Sequence, residues 1–219
     1  MALTDRPGRL EAYGESHDFN AIDRFGVWLS SRRVHRSVGD FKGKRVADIG
    51  CGYHAAFSRT LLDRVRSLVL LDVSLEPGVR EDPRVTAIQG RLPDALAAVE
   101  DASQDVVVCN SVLEHLWQPL RTLQELERIL APRGLLLLNV PSWRGKYFLE
   151  FAAFRLGTSP EEMDDHKMYY DPRDLWPLLV QAGFQPRHIK CFRHKFGLNT
   201  FARCLKPPPA ASLGSVPRQ

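Results

Sequence analysis

Four positions in the first third of this chain have residue types and spacing fit for ligand chemistry. Asp48 lies two residues before Gly50, Gly50 and Gly52 frame Cys51, and Asp72 closes the next apolar run. The glycines let backbone approach a ligand closely, and a helix starting there offers free N–H groups and a positive dipole end. Asp72 stands where a carboxylate can accept from both hydroxyls of a ribose. Gly50, Gly52 and Ala55 also satisfy the dinucleotide pattern G-x-G-x-x-G/A, which admits a nicotinamide cofactor. A carboxylate at Asp48 would repel a pyrophosphate and suits instead a ligand with a cationic amino group. The plainer roles are Asp48 satisfying turn amides and Asp72 capping the chain before Ser74. The chemistry indicated is the binding of a cation that carries an adenosine.

The elements that must position these residues follow from periodicity. Residues 45–49, 68–71, 84–88, 105–109 and 135–140 are apolar on both faces and predict buried strands. Helical spacing lies between them, clearest over 118–130, where Pro132 and Gly134 supply stop signals. Strands alternating with helices give a doubly wound, mostly parallel α/β sheet. Residues 20–38 predict a helix ahead of the first strand. Asp171 as N-cap and Pro172 at the first position start another that ends at Gly183, with Pro177 inside it as a source of bending. Residues 188–192 and 200–205 predict a closing antiparallel hairpin, which makes seven strands. The expected organisation is an N-terminal helical segment, 1–43, covering the site, then the α/β domain, 44–205, with an insertion at 141–170, then a disordered tail, 206–219.

Composition sets bounds on these readings. The 219 residues are 44% hydrophobic and 26% charged, ordinary for a soluble globular protein, and the net charge of +4 permits an anionic partner without requiring one. No apolar run has the roughly 20 residues of a membrane-spanning helix, and the first residues lack a secretory pattern. Cys51, Cys109, Cys191 and Cys204 show neither CxxC pairing nor zinc-ligand spacing, so reduced thiols and a cytoplasmic location are expected. No RNA-binding module or aromatic-basic repeat is present, so no nucleic-acid partner is expected.

VADIGCGYH, VLLDVS, DVVVCNSVLEHL and ELERILAPRGLLLLNVPS occur in that order along the chain. Together they resemble the class I S-adenosylmethionine-dependent methyltransferases, over about residues 44–205, a Rossmann-like fold. The resemblance implies S-adenosylmethionine as cofactor. It places Asp48, Gly50, Cys51 and Gly52 around the methionine portion, Asp72 and Val73 at ribose and adenine, and Asn110 and Ser111 beside the sulfonium. Two departures stand out. Tyr53 and His54 make the glycine loop bulky, and Gly90-Arg91-Leu92 replaces the family's usual Gly-Asp at the adenine amino group. Arginine offers only donors, so adenine contacts pass to backbone near Arg91 and Leu92, or to Asp94.

A methyl donor of this kind needs an acceptor held in line, water excluded, and a base where the acceptor is a hydroxyl. The candidate catalytic residues are His166 as base and His115, with loop anchoring as the alternative for each; His54 is expected to shape the cradle. Asp164-Asp165-His166 invites a metal, but adjacent residues rarely converge on one ion and no metal is expected. Trp143, Arg144, Tyr147 and Tyr169 are the candidate substrate residues of the insertion. With Lys146, Phe148, Phe151, Phe154 and Arg155 they would bind a small or lipid-linked acceptor, contact a membrane surface, or pack on the sheet. Methyl transfer to oxygen of such an acceptor is the expected activity. A Rossmann-type NAD(P) oxidoreductase and a non-catalytic methyltransferase-like binding protein are the alternatives, and oligomeric state is not legible.

Overall fold

A computed structural model describes residues 11–15, 21–156 and 166–208; for 21–23 and 152–156 it describes backbone only. Its frame is a seven-stranded sheet in the order β3-β2-β1-β4-β5-β7-β6. The strands are β1 Arg45–Ile49, β2 Ser67–Asp72, β3 Val85–Gln89, β4 Gln104–Asn110, β5 Leu130–Pro141, β6 Ile189–His194 and β7 Asn199–Leu205. β1 to β5 are parallel, while β7 lies antiparallel between β5 and β6. The five parallel strands and the closing hairpin are where the sequence predicts them.

Both faces of the sheet are covered over β1, β2, β4 and β5, whose alternate apolar residues point to opposite sides. The edge strand β3, expected to be buried, leaves Thr86 and Gln89 exposed because only one neighbouring strand flanks it. One face, with Ala47, Ile49, Val107, Leu136 and Leu138, packs against α3 (Pro119–Ile129) and α5 (Pro172–Gln181) through Leu123, Leu126, Leu175 and Leu179. The other, with Val46, Leu70, Val108, Leu137 and Phe201, packs against α1 (Ala21–Val38) and the turn after it through Val34 and Phe41. Each such buried side chain contributes about 1.5–3 kcal/mol of transfer free energy, which sets the strand ends in a rigid frame.

The crossovers on the β1–β3 side are shorter than helical spacing implies. The glycine turn leads into α2 (Ala56–Arg59), four residues entered through Ala55 in the left-handed region at φ 46°. The segments after β2 and β3 form only 3₁₀ turns, Pro77–Arg80 and Asp94–Ala98. Gly78 lowers helical propensity in the first of these, and each closes after four or five residues. A four-residue helix carries little macrodipole, so the expected dipole contribution at the glycine turn is corrected to local N–H groups alone.

α3 ends at Ile129, and Leu130 already pairs with Gln104, so Pro132 and Gly134 lie inside β5 rather than stopping the helix. α5 runs through Pro177; the Asp171 N–H donates to the Asp174 carboxylate at 2.9 Å, and Gly183 at φ 111° closes its far end. The insertion begins with α4 (Trp143–Leu156). Asp164 and Asp165, the side chains of Phe154 and Arg155, and most of the expected tail lie outside the described residues. Among those described, no helix is long and apolar enough to cross a membrane.

Candidate active site

The carboxyl ends of β1, β2 and β4 bring the glycine cradle together. Gly50 and Gly52 adopt φ 72° and 76°, and the Gly50 N–H donates to Leu71 O at 2.7 Å, tying the loop to β2. A Cβ on Gly50 would lie 2.1 Å from Val112 Cγ2, so only glycine lets the two loops meet. Gly50→Ala is expected to destabilise by about 1–3 kcal/mol through overpacking and positive φ, measurable by urea unfolding, and to abolish cofactor binding. Wild-type stability and binding in that variant would show that the loops do not need this approach.

Asp72 accepts hydrogen bonds from the backbone of both loops. Its Oδ2 takes the Gly52 N–H and its Oδ1 the Val73 N–H, each at 2.8 Å, so the carboxylate organises the turn while each oxygen keeps a further lone pair. Asp48 is 4% exposed and accepts from the Ser58 hydroxyl at 2.6 Å. Burial, reinforced by the charge of Asp72 and opposed by Ser58, raises the Asp48 carboxyl to about 7. Cys51, half-buried in the same loop, has its thiol pushed up by burial and by both carboxylates. Two neighbouring acids, one deeply buried, suit a cationic ligand.

His54 turns away from the cradle, reaching Glu76 at 3.1 Å, where Arg59 also pairs at 3.0 Å. The Tyr53 N–H donates to Tyr13 O at 2.9 Å, and the Tyr53 ring meets the His54 ring edge-on at 5.0 Å between centroids. Residues 11–15 thus lie against the glycine loop, with Glu15 accepting from Ser74. No local sequence signal announces this cover or the Glu76 cluster. On the adenine side Arg91 is exposed, while Leu92 packs on the core. Across the cradle, Ser111 takes φ 54° and its N–H donates to Asn139 O at 2.7 Å, and the buried Asn110 Oδ1 has no hydrogen-bond partner.

Beyond Asn110 the β4 loop meets the far end of the insertion. Glu114 O accepts the Lys167 N–H at 2.7 Å, and Pro141 O accepts the Tyr170 N–H at 2.9 Å, so residues 166–170 bridge β4 and β5. His115 and His166 lie with ring centroids 4.9 Å apart and planes tilted by 52°, and His166 Nδ1 lies 3.0 Å from the Tyr169 hydroxyl. Glu114, His115 and His166 place one ligand atom each within 4.8 Å of one another, an arrangement able to relay a proton or hold one ion. Glu114 is the member sequence reading missed; its adjacency to His115 in VLEHL was the available signal. Trp143 packs against buried Tyr169 at 5.7 Å between centroids, whereas Arg144 is exposed and Tyr147, Phe148 and Phe151 are 65%, 54% and 60% exposed. Of the three alternatives for these aromatics, packing on the sheet is excluded for Tyr147, Phe148 and Phe151, because α4 turns them outward.

The turn between β6 and β7 completes the surroundings. Lys195 and Phe196 both adopt left-handed φ, at 48° and 59°, and Lys195 is half-buried with its ammonium pushed down to about 8 by burial against the opposing charge of Glu114. Neither residue was singled out from sequence.

A family model described as a methyltransferase domain matches residues 22–189. The chain belongs to this family. Its relatives include the ubiquinone biosynthesis O-methyltransferase of Ralstonia nicotianae, 29% identical over 209 residues, 84% of this chain and 83% of that protein. The enzyme of the same name from Escherichia coli O157:H7 is 25% identical over 194 residues, 84% of this chain and 80% of that one. Among solved structures, the magnesium protoporphyrin IX methyltransferase of Synechocystis PCC 6803 with bound SAH matches at TM-score 0.61 and 18% identity, covering 89% of this chain and 90% of that one.

This methyltransferase is an S-adenosylmethionine-dependent enzyme. The nicotinamide and non-catalytic readings receive no support. The residues present fit the donor: the Asp48–Asp72 acid pair and the orphaned Asn110 Oδ1.

Proposed function

We propose that this methyltransferase modifies an oxygen of a small or lipid-linked acceptor, with His166 as the base. The observation that carries the reading is the convergence of His115 and His166 with Glu114, on the loop that continues from Asn110, beneath the aromatic start of α4. The relatives' name, ubiquinone biosynthesis O-methyltransferase, supports an oxygen acceptor of quinone or phenol type. S-adenosylmethionine, when bound, supplies an activated methyl group and takes back the electron pair of the breaking C–S bond.

This chain's residues do the rest. Asp48, Gly50, Cys51 and Gly52 hold the methionine portion, Asp72 and Val73 the ribose and adenine edge, Arg91 and Leu92 the far side of the adenine, and Asn110 and Ser111 border the reacting carbon. His166, oriented by Tyr169, takes the acceptor's hydroxyl proton, with His115 and Glu114 stabilising the charge that results. Trp143 and Tyr169 wall the acceptor, and Arg144 and Tyr147 stand at its mouth. The exposed Tyr147, Phe148 and Phe151, beside Lys146, form a peripheral membrane contact that would deliver a lipid-linked acceptor.

His166→Ala is expected to lower kcat by about 10²–10⁴-fold and leave S-adenosylmethionine affinity unchanged, read by product formation and calorimetry. Undiminished turnover would remove His166 as base. On this reading a chelator does not change the rate. Loss of activity with chelator and its return with a divalent cation would instead assign Glu114, His115 and His166 as metal ligands.

A further inference from the structure

The mechanism above leaves Lys195 unused, although the turn that carries it is shaped to bring it inward. Lys195, Phe196 and Gly197 occupy the left-handed region in succession, at φ 48°, 59° and 85°, a conformation side-chain-bearing residues adopt at a cost. The outcome is a split of the pair: Phe196 is 81% exposed, whereas the Lys195 Nζ lies 3.7 Å from where a Cβ on Gly26 would stand, against α1. No hydrogen bond or ion pair joins that ammonium to another described residue, and Glu114 is the acid whose charge reaches it.

One turn of α1 connects Lys195 to an orphaned acceptor. The Ser30 hydroxyl donates to Gly26 O at 3.2 Å and accepts from Asn139 Nδ2 at 3.4 Å, so the stretch from Gly26 to Ser30 roofs both Lys195 and Asn139. Asn139 is 0% exposed, and its Oδ1 has no hydrogen-bond partner. Phe201, paired with Asn139 across β5 and β7, carries the His194 ring at 5.8 Å. His194 turns one nitrogen toward the Leu29 carbonyl of α1 and leaves its Nε2 buried and unpartnered. Under a single helical turn there are thus one ammonium and two acceptors lacking donors, and buried groups of this kind are costly unless a ligand completes them.

We infer that Lys195, Asn139 and His194 form the subsite that selects the acceptor: the ammonium pairs with an anionic oxygen on an aromatic ring, while Asn139 and His194 accept hydrogen bonds from hydroxyl groups of the same molecule. The anion is a phenolate or an aryl carboxylate, both of which a lysine pairs with as a point charge. Lys195 exchanges no proton in this role. The inference rests on the oxygen-methylation reading, which it sharpens to a hydroxylated aryl anion.

The test uses the full chain loaded with SAH, titrated with 4-nitrocatechol, whose colour reports its ionisation, and separately with 3,4-dihydroxybenzoate. Wild type is expected to bind at least one of them, and to hold nitrocatechol in its ionised form at a pH where the free dye is mostly neutral. Lys195→Met should bind about tenfold or more weakly, lose the ionised spectrum and keep SAH affinity, which shows the fold intact; Lys195→Arg should recover part of the binding. Preference for nitrocatechol identifies a phenolate, and preference for the benzoate a carboxylate. Equal probe binding by wild type and Lys195→Met overturns the subsite, as does binding of SAH without binding of either probe. Failure of the wild type to bind SAH would instead bring down the methyl-transfer reading and the subsite with it.

Discussion

Asp72→Ala is expected to weaken S-adenosylmethionine binding by about 2–4 kcal/mol, roughly 30- to 1,000-fold, because in the proposed site Asp72 is the charged acceptor for two ribose hydroxyls. The same change frees the Gly52 and Val73 N–H groups that Asp72 now accepts, so the loop loses its tether together with the ligand contact. Asp72→Asn separates the two effects. Its amide keeps one acceptor but turns a donor toward the other N–H, so partial affinity with a less ordered loop is expected. Calorimetry on both variants gives the comparison, and unchanged affinity in Asp72→Ala would move the ribose elsewhere.

Asp48→Asn should change the pH dependence of stability in opposite senses with and without ligand. Burial raises the folded carboxyl from 3.8 to about 7, so its protonated form is the one the fold favours. The stabilising contribution is therefore complete below about pH 3.8 and is lost as pH rises through about 7. At about 1.36 kcal/mol per unit, the ligand-free protein forfeits up to about 4 kcal/mol across that window, and Asp48→Asn should flatten the loss. A cationic ligand favours the ionised form, so binding near neutral pH should release a proton from Asp48. Melting curves between pH 5 and 8, with and without S-adenosylmethionine, and calorimetry in two buffers of different ionisation enthalpy measure both effects. A ligand-induced stabilisation that is the same in Asp48→Asn at every pH would separate Asp48 from the bound cation.

What the sequence disclosed here was whatever local chemistry dictates. Strands apolar on both faces, such as Val46–Ile49 within β1, admit no other placement than the centre of a covered sheet, and Asp171-Pro172 can only begin a helix efficiently. Gly50 and Gly52 were legible for the same reason, since their conformations exclude side chains. The length of α2 was not legible, because Ala55 enters it in the left-handed region, a conformation its residue type does not announce. Nor was the meeting of His115 with His166, which requires the bridge from residues 166–170 back to Glu114 O. Lys195 was invisible for a further reason. In a sequence it reads as one more solvated cation, and only the left-handed turn and the closeness of Gly26 draw it inside.

The place of β7 has a bearing on how the enzyme is made. β7 supplies the residues Asn199–Leu205 near the end of the chain, yet it sits in the interior of the sheet and is the partner of both β5 and β6. During synthesis, which proceeds from the N-terminus, β1 to β5 therefore emerge before the strand that joins β5 to β6. Until β7 emerges, β5 presents an open edge that other chains can pair with.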